Sequence, residues 1–358
     1  MSNKNDLSIN DEIENTQLND MKICQPDEYE LTWQSIAPDR KLHQCVYNSK
    51  KYRVGYVHNK LNLEDDSWYA PYLIYKIGKK IGIDVPETEI ALLLHKNINR
   101  TTYSDSLFES SIVYNNDTMY NAYIRLDDNI AYVSPEVLRN KYLMHLEDEN
   151  DRKLSHGAPE NITVDEYIDS YIWYLTTHGN KSQNEYSKEE IDSIKQELID
   201  RILFSLRFES RGNFNVRLVN FQNASLEPYY YSGFNMYYLG ESEKGIQDYL
   251  KMTDQELKKS INRSFKPQYT IPNTEKKFDE SDQKNMLRYI FKKYPKQAEN
   301  FYKKLSSFEA KDLEDILDTC TRMSDNHKKI AVRIFETRGK DFEEIHQEYM
   351  KKQEDDGR

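Results

Sequence analysis

RFESRGNFNVRLVN, residues 207–220, and EPYYYSGFNMYYL, residues 227–239, decide how this chain is read. Each reads as a polar loop running into a short apolar strand. Asn213 and Asn215 are side chains of the kind that hold a metal or a substrate, yet Glu209 and Glu227 are the only carboxylates in the two pieces. Upstream, Ser187-Lys-Glu-Glu190 is a capping-box pattern. Behind it Ile191, Ile194, Leu198, Ile202 and Leu206 keep helical spacing up to the first quoted stretch. The spacing therefore predicts a helix that feeds a strand–loop–strand unit over 207–239.

The N-terminal half has a different grammar. Residues 1–25 are polar and acidic and predict a disordered tail. Leu42-His-Gln-Cys-Val-Tyr47 and Tyr52-Arg-Val-Gly-Tyr-Val57 are β-rich runs around the turn Asn48-Ser-Lys-Lys51, which predicts a hairpin. Leu73, Ile77 and Ile81 recur every four residues, with Pro71 suited to a first helical turn and Gly82 to a stop. Ile83 to Leu94 leads into a further strand, and Ser111–Tyr114 and Tyr120–Ile124 are further strand candidates. Beyond Ser281 apolar stripes at helical spacing dominate, with an interruption expected at Gly339. The organisation predicted is a tail (1–25), an α+β N-terminal lobe (26–135) and a mainly helical C-terminal lobe (136–353).

Bulk properties narrow the function classes. The 358 residues suit two lobes of roughly 100–200 residues each. The net charge of −11 argues against a large nucleic-acid footprint and against anionic membrane, and favours a soluble protein with a basic partner. Cys24, Cys45 and Cys320 are too widely spaced for a zinc ribbon, and reduced cysteines in a cytoplasmic protein are expected. The N-terminus lacks the apolar core of a signal peptide. The sequence holds no P-loop, HExxH, GxSxG or EF-hand pattern.

Three stretches together resemble the HipA-like kinase families, atypical bacterial Ser/Thr kinases with shorter CtkA-like relatives; the likeness runs over roughly residues 35–325. Tyr52-Arg-Val-Gly-Tyr56 is similar to the strand that carries the family's ATP lysine. Pro71 through Pro86 is similar to the helix whose glutamate pairs that lysine, with Ile-Gly-Ile-Asp-Val-Pro as the entry to the next strand. Ile202 through Gly233 is similar to the catalytic-loop and metal-loop unit. The resemblance implies an α+β, two-lobed protein-kinase-like fold, with ATP and Mg²⁺ as cofactors of an active member.

It also implies where the chemistry should sit, and there this sequence departs from the pattern. Phosphoryl transfer needs a cation on the phosphates, a carboxylate to hold it, a base near the hydroxyl and oxygen ligands for Mg²⁺. The lysine position falls on Gly55, the helix glutamate on Pro71, the catalytic aspartate on Phe208 and the metal aspartate on Tyr231. Asn213, Ser232 and Gly233 are retained, and Lys41 matches a basic residue of the phosphate loop, although Ala37-Pro-Asp-Arg-Lys41 has no glycine. Losing one preorganised group typically costs ~10²–10³ in rate, and here four are replaced together. The expectation is a pseudokinase that acts by binding or regulating a protein. One rival is an atypical Ser/Thr kinase with displaced groups, Glu209 then serving as base; another is an unrelated soluble interaction protein.

Plainer roles compete for the same residues. Asn213 suits an ordinary turn, and Tyr229, Tyr230 and Tyr231 suit the alternating faces of a strand as well as a plug in a nucleotide pocket. Arg207 and Arg211 read as exposed loop arginines, and His178 as a loop histidine. Lys292, Lys293, Lys296, Lys303 and Lys304 read as the solvated face of amphipathic helices.

Overall fold

The hairpin read from the sequence is present: β3 (Leu42–Tyr47) and β4 (Lys50–Tyr56) pair antiparallel, with Tyr47 opposite Lys50 and Leu42 opposite Gly55. A computed structural model of the chain describes residues 22–24, 30–32, 42–47, 50–56, 69–83, 85, 88–95, 118–126, 131–133, 135–150, 162–178, 186–208, 215–219, 223–227, 237–264, 269–272, 282–321 and 323–356. The chain divides into two units, Met1–Leu63 with Glu87–Asn129, and Glu64–Pro86 with Ile130–Arg358.

The first unit is built on a six-stranded sheet. Its strands are β1 (Lys22–Cys24), β2 (Glu30–Thr32), β3, β4, β5 (Thr88–His95) and β6 (Thr118–Leu126), in the spatial order β1-β5-β6-β4-β3-β2. Tyr120–Ile124 falls within β6 as expected, while Ser111–Tyr114 lies outside the described residues. The expected tail is shorter than residue 25: Lys22–Cys24 adds a parallel edge strand to β5, with Lys22 opposite Ala91. Main-chain pairing to an open sheet edge, which composition does not register, accounts for that difference.

The second unit is mainly helical. It contains α1 (Ala70–Ile81), β7 (Ala131–Val133), α2 (Pro135–Asn150), β8 (Ile162–Thr163), α3 (Val164–His178), α4 (Lys188–Phe208), β9 (Asn215–Val219) and β10 (Asn223–Glu227). After a 3₁₀ turn (Tyr237–Gly240) come α5 (Glu243–Lys251), α6 (Asp254–Ser264), β11 (Tyr269–Thr270), α7 (Asp282–Lys293), α8 (Pro295–Leu305), α9 (Ala310–Asp318) and α10 (Asp325–Asp356). The long α10 packs against α4, α5, α7 and α9, so it is the spine of the unit.

Local signals set the helix ends. α1 begins at the buried Pro71 turn and stops at Gly82, whose φ of 73° is left-handed, while Ile83 N–H donates to the Gly78 carbonyl at 2.8 Å. Nothing lies within 4 Å of a Cβ built on Gly82, so Gly82→Ala tests the backbone alone. It is expected to cost about 1–2 kcal/mol, read from the denaturation midpoint of the full chain. α4 begins with the capping box read from the sequence: Ser187 N–H donates to Glu190 Oε2 at 2.8 Å, and Glu190 N–H to Ser187 Oγ at 3.1 Å. α1 belongs to the helical unit, whereas the sequence reading assigned it to the N-terminal lobe. Its Tyr72 hydroxyl lies 2.9 Å from Thr319 Oγ1, and Lys80 pairs with Asp312 at 3.0 Å.

Two expectations in this unit are corrected. Gly339 does not interrupt the last helix, which runs unbroken from Asp325 to Asp356. A lone glycine weakens a helix by about 1 kcal/mol without ending it. The second strand of the 207–239 unit is Asn223–Glu227, ending on the first residue of the second quoted stretch, and Tyr237–Gly240 forms a 3₁₀ turn. Asn-Ala-Ser-Leu-Glu has poor strand propensity; it is a strand because it returns along β9, Asn223 opposite Val219 and Glu227 opposite Asn215.

Candidate functional site

α4 delivers the chain to the segment where catalytic groups are expected. Leu198, Ile202, Leu203, Phe204, Leu206 and Phe208 are all buried, so the last three turns of α4 are locked into the core. Burying such a side chain contributes about 1.5–3 kcal/mol. Beyond Phe208 the chain enters β9 and β10, which with β7 form a small sheet in the order β10-β9-β7. Asn213 thus precedes the first residue of β9 by two positions.

Phe208, the position of the catalytic aspartate in the resemblance, ends α4 with 4% of its surface exposed. Its ring lies 4.7 Å from that of Phe204, 5.6 Å from Phe335 in a stacked arrangement, and 5.8 Å from Phe308 edge-on. It is part of an aromatic core built by α4, α10 and the turn before α9. Pro71, the glutamate position, is buried in the first turn of α1. Gly55, the lysine position, is on β4 of the other unit, between Leu42 of β3 and Tyr123 of β6, and offers no side chain to a phosphate. Lys41, Glu209, Asn213, Tyr231, Ser232 and Gly233 lie outside the described residues, as do Arg211 and Tyr229–Tyr230.

Arg207 corrects another expectation. It is buried rather than exposed, at 4%. Its Nη1 donates to the Phe335 carbonyl, and its guanidinium lies 3.7 Å from the centre of the Phe335 ring. Burial first, and Arg338 second, pull this guanidinium down to about 9, so it stays charged at neutral pH. A Cβ on Gly339 would lie 2.9 Å from Arg207 Nη2, which is why α10 carries a glycine there.

The lysines of the C-terminal helices do more than solvate a face. Lys304 pairs with the buried Asp200 at 2.6 Å, and Lys296 with Asp192 at 3.2 Å, so α8 is tied to α4. Burial holds the Asp200 carboxyl above the ordinary carboxylate range in spite of Lys304. His178 is the last residue of α3, not a loop residue, with its ring stacked on Tyr174 at 4.3 Å.

A second place was not found from the sequence. α2, α3 and the start of α4 enclose a surface cleft of about 510 Å³ lined by Tyr142, Asp169, Ile172, Trp173, Thr176 and Tyr186, with Ile191. The signal was available: Asp169, Ile172, Trp173 and Thr176 are spaced three and four apart, so they share one face of a helix. Among the described residues no cluster of three or more His, Cys, Asp or Glu side chains is placed to hold a metal ion, and no helix is long and apolar enough to cross a membrane.

No family model matches the chain, and no curated protein is similar to it by sequence. Among solved structures, the crystal structure of a Helicobacter pylori proinflammatory kinase, CtkA, is similar, with a TM-score of 0.58 at 13% identity. The match covers 92% of this chain and 98% of that one, so the chain has a distantly kinase-like fold.

Proposed function

We propose that this chain is a HipA-like, two-lobed kinase-fold protein that does not transfer phosphate and acts in the cytoplasm by binding or regulating a protein partner. The observation that carries this reading is Phe208. At the position where the resemblance calls for the catalytic aspartate stands a ring with 4% exposure, packed among Phe204, Phe308 and Phe335. A base has to reach the hydroxyl it deprotonates within about 2.6–3.2 Å or through one water, and a residue committed to the core does not do so. Gly55 and Pro71 point the same way, since neither supplies a cation or a carboxylate. The net charge of −11 favours a basic protein partner over nucleic acid or anionic membrane.

Thermal-shift titration with Mg-ATP tests the proposal. The expected result is no Mg²⁺-dependent rise in Tm up to millimolar nucleotide; a ligand at 100 times its Kd would stabilise by about 2.7 kcal/mol. A Mg²⁺-dependent rise, together with transfer of labelled phosphate that Glu209→Ala or Asn213→Ala abolishes, would establish an active kinase with displaced groups and overturn it.

A further inference from the structure

The cleft between α2, α3 and α4 combines two features. The first is an acid with no partner. Asp165 and Asp169 are one turn apart on α3. Asp165 accepts hydrogen bonds from Tyr289 and Tyr294, each at 2.6 Å, and lies 3.7 Å from Lys293. Asp169, by contrast, has no hydrogen bond and no ion pair to any described residue. Its carboxylate stands at the exposed rim of the cleft. Lys195 and Lys293 act on it from a distance, but neither pairs with it.

The second feature is aromatic walling. Tyr142, Trp173 and Tyr186 line the same cleft as Asp169. The Trp173 ring is flanked by Tyr142 at 5.8 Å and by His145, stacked at 5.2 Å. Ring faces carry negative potential and attract organic cations, most strongly tryptophan. An unpaired carboxylate at the mouth of an aromatic-lined cleft is complementary to an ammonium or guanidinium group on an alkyl stem. The stem meets Ile172 and the rings, and the charge meets Asp169. The cleft volume of about 510 Å³ is within the usual range for ligand sites and leaves room for more than one side chain. Partial burial, and then Asp165, hold the Asp169 carboxyl above its ordinary range, which Lys195 and Lys293 only partly offset.

We infer that this cleft binds a lysine or arginine side chain presented by an extended segment of a basic protein partner. The inference deepens the partner-binding function proposed above and rests on it for the partner's being a protein, while the site itself involves no nucleotide.

The test is a titration of the full chain, labelled with ¹⁵N at tryptophan and followed at the three indole signals, with Trp173 assigned by Trp173→Phe. The probes are a blocked pentapeptide of glycines around one central lysine, its norleucine counterpart, and n-butylammonium. The lysine peptide is expected to shift the Trp173 signal saturably. The norleucine peptide, and the lysine peptide on Asp169→Asn, are each expected to bind at least tenfold more weakly. Partial burial and Asp165 disfavour the Asp169 charge, so the Asp169→Asn midpoint should equal the parent's or lie slightly above it, and weaker binding then does not come from unfolding. No saturable shift with the lysine peptide, equal binding of the norleucine peptide, or an unchanged affinity in Asp169→Asn each overturns the inference. Butylammonium binding as tightly as the peptide would mark a free-amine site and overturn the assignment to a protein segment. No ATP is present, so this outcome is separable from that of the Mg-ATP titration.

Discussion

Phe208→Ala is expected to lower stability by about 3–5 kcal/mol, the usual cost of removing a fully buried aromatic ring from a core. The ring touches partners on three sides, Phe204 in the preceding turn of its own helix, Phe335 on α10, and Phe308 before α9. Phe308 and Phe335 belong to elements far along the chain from α4, and the three rings cannot all close on the space it leaves. Phe208→Leu should cost under about 1.5 kcal/mol, because most of the volume remains. The informative variant is Phe208→Asp, which puts back the acid that the kinase resemblance calls for. If the position were an emptied active site open to water, this change would be cheap and would make phosphoryl transfer easier. In the packing seen here it adds the desolvation of a carboxylate to the loss of the ring. The expected result is a chain less stable than Phe208→Ala and still unable to transfer phosphate. Denaturant midpoints and a labelled-phosphate assay read both. A loss below about 1 kcal/mol in Phe208→Ala would show that the ring is not core, and the proposal of a non-transferring kinase fold would lose its main support.

What could be read from the sequence is what is encoded locally. Pro71 and Gly82 bound α1, and Ser187 with Glu190 starts α4, because caps and left-handed stops depend on neighbours three or four residues away. What was misread depends on distant partners. Arg207 next to Glu209 and Arg211 has the composition of an exposed loop. Its burial is set by Phe335, Arg338 and Gly339, more than 120 residues later. Gly339 looks like a helix break until that guanidinium is seen against it. β10 is a strand by pairing with β9 and not by composition, and Lys22–Cys24 joins a sheet through its backbone. Of the candidate site, Gly55, Pro71 and Phe208 fall on described residues, and all three occupy structural positions: a central strand, a first helical turn and an aromatic core. The Asp169 cleft was hidden for a different reason. Its residues carry no motif, and what singles out Asp169 is that its neighbour Asp165 is satisfied while it is not.

Asp341→Ala should be as damaging as the loss of Phe208, for electrostatic rather than packing reasons. Asp341 is 1% exposed on α10. It receives Lys258 from α6, lies 3.5 Å from Lys284 of α7 and 4.0 Å from the buried Arg338 of its own helix. Arg207 stands in the same interior, already depressed by its burial and by the repulsion of Arg338. One buried guanidinium, that of Arg338, and two lysines thus share a carboxylate that joins α6 and α7 to the spine of the unit. Its removal takes from Arg338, Lys258 and Lys284 the carboxylate they share, at an expected cost of about 3–5 kcal/mol. Lys258 and Lys284 can swing into water and recover part of that cost, whereas Arg338, with 1% of its side chain exposed, cannot. A second change separates the charge from the packing. If the cost comes from stranded positive charge, Arg338→Met in the Asp341→Ala background should restore at least about 1 kcal/mol, since apolar replacement of both members of a buried pair is often neutral or stabilising. If the cost comes from lost volume, the double variant will be no better than the single one. The coupling, taken from denaturant midpoints of the parent, the two single variants and the double variant, decides between them. It should change little between low and high salt, because a buried pair is screened far less than a surface one.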